Sequence, residues 1–269
     1  MSETRTQKLL RWSAGAVPIR EGDELACEEP LEIRVDGRPV SVTMRTPGED
    51  GELAAGFLLS EGLVRRREDV RSVAPLTEDG KCNVIDVRLS EGVAIDFDRL
   101  TRHVFASSSC GLCGKATIES VRQQFPPVES RMVVDAETLL ALPRLSRDAQ
   151  AAFERTGGLH AAALFDKRGS LVVLREDVGR HNAVDKVLGY GLLRGSLPFD
   201  EHVLLVSGRS SFEIMQKALA GRIPIVAAVS APSSLAVEFA EASGQTLVGF
   251  LRGERMNVYA GSERIHFPQ

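Results

Sequence analysis

The chain has 269 residues, 43% of them hydrophobic, enough to bury a substantial core as one main domain with a smaller appendage. Lys+Arg 33 against Asp+Glu 37 gives a formal charge of −4, so the electrostatic footprint of a general nucleic-acid binder is absent. Met1–Trp12 lacks the apolar stretch of a secretory signal and no apolar run of about 18 residues occurs, so no membrane partner is expected and the sequence reads as cytoplasmic.

Residues 1–18 read as a flexible tail, and residues 19–105 as a β-rich N-terminal subdomain. Leu31–Val35 and Val40–Thr46 are strands joined through Asp36-Gly37, a turn pair that tolerates positive φ, which predicts a hairpin. Thr46-Pro47-Gly48-Glu49-Asp50 breaks the second strand, with Asp50 able to cap. Leu53, Ala54, Phe57 and Leu58 then trace the apolar stripe of a core helix ending near Gly62. Asn83–Leu89 alternates, and with Val93–Phe97 after Glu91-Gly92 it predicts a second hairpin.

Residues 106–116 are expected to form a mobile loop around Ser109-Cys110-Gly111-Leu112-Cys113-Gly114-Lys115. The thiolate is the reactive form of cysteine, and a neighbouring thiol, a Lys ammonium or a helix N-terminus each favour it. Ile118, Val121 and Phe125 recur at helical spacing, so a helix beginning near Ala116-Thr117 aims its free N–H groups back at Cys113. Cys27 and Cys82 are isolated, so a four-cysteine disulfide framework is not expected. Nor do they supply the spacing of a structural zinc site, and no metal site is expected. Thiol oxidoreduction and persulfide relay both remain open for Cys110 and Cys113.

Residues 117–269 form the expected α/β cofactor-binding subdomain. Asp135 and Ser146 are candidate caps of two short helices, the first stopped before Pro143 and the second ending at Gly157-Gly158. Strands over His160–Phe165, Ser170–Arg175, Val203–Val206, Ile223–Val229, Thr246–Leu251 and Met256–Tyr259 alternate with helices traced by Ala183–Leu192, Phe212–Leu219 and Leu235–Ala242. That rhythm predicts right-handed crossovers and a mainly parallel sheet covered on both faces.

Ligands of such sheets bind beyond the carboxyl ends of the strands. Four segments follow strands there: Glu176–Asn182, Ser207-Gly208-Arg209-Ser210-Ser211, Ser230-Ala231-Pro232-Ser233-Ser234 and Arg252-Gly253-Glu254-Arg255. Glycines admit a ligand to the backbone, hydroxyls and helix N-termini donate hydrogen bonds, and arginines clamp phosphate, so the set suits a phosphorylated, nucleotide-like ligand. His181 is read as a helix-start residue and His160 as a strand residue.

From about Leu31 to Ile265 the sequence resembles the FdhD/NarQ family of formate dehydrogenase accessory sulfurtransferases. The resemblance is carried by Met44-Arg45-Thr46-Pro47-Gly48, Glu52-Leu53-Ala54, Gly56-Phe57-Leu58, the Cys110–Cys113 segment, Glu176–Lys186, Ser207-Gly208-Arg209 and Gly249-Phe250-Leu251-Arg252. It implies a cytidine-deaminase-like three-layer α/β/α fold, usually dimeric. It further implies sulfur transfer from a cysteine desulfurase, by way of a persulfide on Cys110, to the molybdenum of a bis(molybdopterin guanine dinucleotide) cofactor destined for formate dehydrogenase. Cys113 would assist or resolve. Phe250, Leu251, Arg252, Gly253, Glu254 and Arg255 would contact the cofactor, with Gly208, Arg209 and Ser210 beside them, and a guanine nucleotide would mimic it. Deaminase chemistry is excluded: His160-Ala161-Ala162 lacks the glutamate of the zinc deaminase signature, and Ser109 stands where that signature has proline. The rival readings are a cofactor-shielding chaperone that is not an enzyme, and a Cys-x-x-Cys oxidoreductase.

Overall fold

The computed structural model describes residues 2–78, 81–93 and 124–268. Its N-terminal part is β-rich, as expected, but the stretch read as a tail is a strand. β1 (Thr4–Arg11) pairs antiparallel with β2 (Ile19–Ala26), from Thr4 opposite Ala26 to Arg11 opposite Ile19. The ribbon is largely exposed, with Leu10, Trp12, Val17 and Ile19 facing solvent, so no buried face imprinted an inside–outside alternation on its sequence.

β3 (Glu29–Val35) and β4 (Arg38–Arg45) form the predicted hairpin, with Asp36 at φ 49° and Gly37 at φ 80° in the turn. After α1 (Asp50–Ser60), β5 (Val70–Glu78) and β6 (Lys81–Leu89) complete a four-stranded sheet of order β4-β3-β6-β5. The Asn83–Leu89 strand lies within β6, paired with β3 and β5; residues 94–97 of the second expected hairpin lie outside the described residues. Asp50 does not cap α1. Glu49 holds that position at φ 50°, and Asp50 instead accepts both arms of the buried Arg45 guanidinium, at 2.8 and 3.0 Å.

A short strand β7 (Val134–Asp135) leads into α2 (Ala136–Asp148) and α3 (Ala151–Thr156). α2 runs through Pro143 rather than stopping before it. Leu139, Leu142 and Ser146 are buried along one face, and this packing carries the helix past the hydrogen bond that proline cannot donate. α3 ends at Gly157, at φ 64°.

The main sheet comprises β8 (His160–Asp166), β9 (Leu171–Asp177), β10 (His202–Val206), β11 (Ile225–Ala228), β12 (Thr246–Arg252) and β13 (Arg255–Ala260), in the order β13-β12-β11-β10-β8-β9. A last strand, β14 (Ile265–His266), pairs with β7. Between these strands come α4 (Arg180–Arg194), α5 (Phe212–Ala220) and α6 (Ser234–Ser243). The sheet is mixed, not mainly parallel. β10, β11 and β12 run parallel to one another, whereas β8 lies antiparallel to both β9 and β10, and β13 antiparallel to β12. The cause is local: Asp166 accepts backbone N–H bonds from Arg168 and Ser170 and Gly169 takes φ 81°, so β8 turns straight back into β9.

Successive residues of each strand serve opposite faces. Ala162, Leu164, Leu204 and Val226 pack towards α4, α5 and α6; Ala163, Phe165, Leu205 and Ile225 pack towards Leu139 and Leu142 of α2. This is the three-layer α/β/α arrangement. The first of these cores also takes in Leu31, Ile33 and Val35 of β3 and Leu53 and Leu58 of α1, so the β-rich layer and the helical layer share one interior. They meet where α1 crosses α4 glycine to glycine. A Cβ on Gly56 would fall 1.8 Å from the Asp185 carbonyl oxygen, and one on Gly189 would fall 1.8 Å from that of Glu52. No helix of the described residues is long and apolar enough to cross a membrane.

Candidate functional site

Parallel β10, β11 and β12 deliver Ser207–Ser211, Ser230–Ser234 and Arg252–Arg255 to one edge, and β9, which shares their direction, brings Glu176–Asn182. The segments are physically joined. Phe250 N donates to Ser230 O at 3.0 Å, Ser233 N donates to Ser210 O at 3.0 Å, and Ser210 bridges Pro232. Ser207 Oγ accepts from Ala161 N at 2.9 Å, and His181 Nε2 lies 3.3 Å from Ser211 Oγ. Gly208 sits close against His160: a Cβ there would stand 3.3 Å from His160 Nδ1.

Within this row, Phe250 is a non-glycine residue at φ 52° and Leu251 is buried in the core. Arg252, Gly253, Glu254 and Arg255 form the exposed tip of the β12–β13 hairpin, with Arg252 opposite Arg255 and its guanidinium 5.7 Å from the Phe250 ring centre. Arg209 is exposed. Ser210 is fully buried, and among the described residues its hydroxyl meets no hydrogen-bond partner. Arg180 Nε, at the start of α4, is the second buried polar atom of this edge without a partner. Buried polar atoms left without a partner cost about 1–3 kcal/mol each.

The edge is fixed from below by a buried knot. Asp177 and Lys186 are both fully enclosed and 2.9 Å apart. Asp177 also accepts from Thr46 N, Gly179 N and Asn182 Nδ2, while Lys186 Nζ donates to the carbonyls of Thr46 and Glu176. Asn182 Nδ2 reaches Met44 O at 2.8 Å, and Val178 N donates to Thr46 Oγ1. The Met44–Gly48 and Glu176–Lys186 motifs thus meet as one structure. Burial raises the Glu49 carboxyl above its usual range, against the charges of Lys186 and Arg175.

Two histidines read from the sequence as ordinary helix-start and strand residues sit within the row, with Arg180 of the Glu176–Asn182 segment beside them. His160 opens β8; because that strand runs antiparallel, its first residue rather than its last faces the site, a placement a parallel sheet would not give. Burial, Arg180 and His181 hold its pKa below the ordinary histidine value, with Asp177 opposing. His181 pairs with Glu213 at 2.9 Å and, by its hydrogen bond, holds that carboxyl below its usual range. Arg180 was legible as the residue after Gly179 at a helix start. Cys110, Cys113 and the helix expected from Ala116-Thr117 lie outside the described residues; among those described, no group of three His, Cys, Asp or Glu could hold a metal.

The fold is a three-layer α/β protein with glycine-, serine- and arginine-bearing segments along one strand edge, and the same architecture occurs in a solved structure from Desulfotalea psychrophila described as a formate dehydrogenase accessory protein. The two share a TM-score of 0.79 and 27% identity, covering 98% of this chain and 100% of the other. The FdhD/NarQ family model matches residues 26–266, and the chain belongs to that family. A relative from Streptomyces avermitilis, named sulfur carrier protein FdhD, is 54% identical over 97% of this chain and 95% of its own length. A relative of the same name from Mycobacterium tuberculosis is 54% identical over 92% of this chain and 93% of its own.

Proposed function

We propose that this protein is a formate dehydrogenase accessory sulfur carrier. Cys110 takes sulfur from a cysteine desulfurase and passes it to a molybdenum bis(molybdopterin guanine dinucleotide) substrate held at the strand edge. The observation that carries the reading is the pair of buried, unpartnered polar groups, Arg180 Nε and Ser210 Oγ, among exposed Arg209, Arg252 and Arg255. Such a site fits the pyrophosphates of a guanine dinucleotide, and the relatives named sulfur carrier protein supply the chemistry to be expected of Cys110. Helix N-termini at Phe212 and Ser234 add backbone N–H groups on the same side.

In the first step the Cys110 thiolate attacks the terminal sulfur of the donor's persulfide. The donor S–S bond breaks, the donor leaves as a thiolate, and Cys110 carries the persulfide. In the second, the Cys113 thiolate attacks Cys110 Sγ, forming a disulfide and expelling sulfide to the substrate metal; a cellular dithiol then reduces the disulfide. Atoms and electrons balance without a further oxidant. Cys110 stands 14 residues before Gln124 in the sequence, a contour of about 46 Å, longer than the sheet is wide.

Mass spectrometry after incubation with desulfurase and cysteine tests the reading: the protein gains one sulfur atom, and Cys110→Ala gains none and fails to activate formate dehydrogenase in cells. A shielding chaperone gains no sulfur. An oxidoreductase cycles a Cys110–Cys113 disulfide with turnover but gains no sulfur. Unchanged activation by Cys110→Ala overturns the proposal.

A further inference from the structure

The opposite edge of the main sheet, where α4 and α5 end, holds a cavity of about 360 Å³. It is about 22 Å from the candidate site, the length of the 15-residue α4. Leu192, Leu197, Pro198 and Ala220 give it an apolar floor, and Arg65, Arg66, Arg67 and Arg222 stand around it against one acid, Glu68. In a chain of formal charge −4, this local excess of cations is a departure. Two of the four are built into place: Arg67 donates to the Val70 carbonyl, and Arg222 donates to the carbonyls of Pro126 and Pro127. Arg65 and Arg66 point outward. Among the described residues, the 75% exposed Arg66 pairs with Asp69, and the exposed Arg65 side chain makes no hydrogen bond or ion pair.

The described chain on both sides of residues 94–123 is fastened at this edge. Ser90 is bonded to Glu68 and Asp69, and Val93 N donates to Ser90 O. On the other side, Gln124 donates to Glu61 O, and Pro126 and Pro127 hold Arg222. The segment that carries Cys110 therefore joins the described chain at this edge, at the far end of α4 from the strand-end segments.

We propose that the arginine-rimmed cavity is the docking site for an acidic, leucine-bearing segment of the sulfur-donating protein. The inference rests on the sulfur-carrier reading above. Charge and shape select this occupant. Arginine forks match carboxylates two by two and are favoured at interface centres, and the apolar floor takes an aliphatic side chain between them. A compact phosphate suits the cavity less well, because it lies at the negative ends of the α4 and α5 dipoles, whereas carboxylates spaced along a peptide stay at the rim.

The test uses the full-length protein with Arg65→Glu and Arg66→Glu together, two exposed positions whose reversal leaves the core intact. Sulfur loading is followed by mass spectrometry with two donors: a cysteine desulfurase with cysteine, and glutathione persulfide. Desulfurase binding is followed by biolayer interferometry at low and high salt. The expected result is a loss of about tenfold or more in desulfurase-driven loading and in desulfurase binding, with salt weakening the wild type in the same way, while loading from glutathione persulfide is unchanged. Wild-type loading and binding in the variant overturn the proposal, as does equal slowing with both donors, which places the arginines at the thiol and not at a docking surface. Calorimetric binding of pyrophosphate that the variant loses, with desulfurase binding intact, also overturns it in favour of a small-anion site. If the wild type takes sulfur from neither donor, the sulfur-carrier reading fails by itself. Charge-dependent desulfurase binding, read separately, then still upholds docking, and its absence overturns it.

Discussion

Asp185 and Lys186 are neighbours on α4, oppositely charged and both buried, yet each turns away to a different partner. Lys186 joins Asp177 beneath the strand edge; Asp185 joins Lys217 and Ser60 among the helices, with Lys217 Nζ 2.9 and 2.8 Å from the two carboxylate oxygens. The surroundings differ in kind. Asp177 also holds three N–H donors from Thr46, Gly179 and Asn182, whereas Asp185 holds only Lys217 and one hydroxyl. Burial raises the Asp185 pKa against the pull of Lys217; burial also works against the Lys217 ammonium, but Asp185, Glu61 and Glu213 outweigh it and its pKa rises. The first node ties the Met44–Gly48 and Glu176–Lys186 segments together beneath the strand edge, and the second clamps α1, α4 and α5 together.

Mutations separate the two. Lys186→Met leaves Asp177 charged and buried without its counter-ion, so a loss of about 3–5 kcal/mol is expected in chemical denaturation. Guanine-nucleotide binding, read by calorimetry, falls with it because the Thr46 and Val178 segments lose their anchor. Lys217→Met costs about 3 kcal/mol for the same reason. Its rescue is the sharper comparison: Asp185→Leu combined with Lys217→Met returns most of that loss, whereas Asp177→Leu combined with Lys186→Met does not, since three N–H groups remain stranded. Equal rescue in both pairs erases the distinction drawn here.

Gly189→Ala forces a methyl into the Glu52 carbonyl where α1 crosses α4. About 1–3 kcal/mol should be lost in urea unfolding, with nucleotide affinity per folded molecule unchanged. The smallest effect is a pH dependence. His160 has a lowered pKa in the fold, so the unfolded chain takes up its proton first, and stability falls as pH drops below the ordinary value of 6.5. His160→Gln removes that contribution, flattening the stability curve between neutrality and mildly acidic pH, as denaturation midpoints at several pH values will show.

The strands of the main sheet and the helices between them were readable because the strands are short continuous apolar runs, as in Val203–Val206, and the helices carry a periodic apolar face, as in Phe212, Met215 and Leu219. Strand direction was not, because direction lies in the backbone of the β8–β9 turn and leaves no trace in apolar periodicity; with it went the role of His160. β1 escaped notice because its side chains meet solvent, and Pro143 misled because local preference yielded to Leu139 and Leu142 packing on either side. Among site residues, the exposed Arg252–Arg255 tip and Gly208-Arg209-Ser210 were visible as motifs, whereas the unpartnered, buried state of Ser210 Oγ and Arg180 Nε shows only in the fold.

The glycine crossing of α1 and α4 has a consequence for how the molecule comes apart. Because β3, α1 and the helical layer draw on one interior, parting them exposes that interior on both sides. Cutting the gene between Val93 and Gln124 should therefore give two insoluble fragments, and the intact chain should melt in a single calorimetric peak.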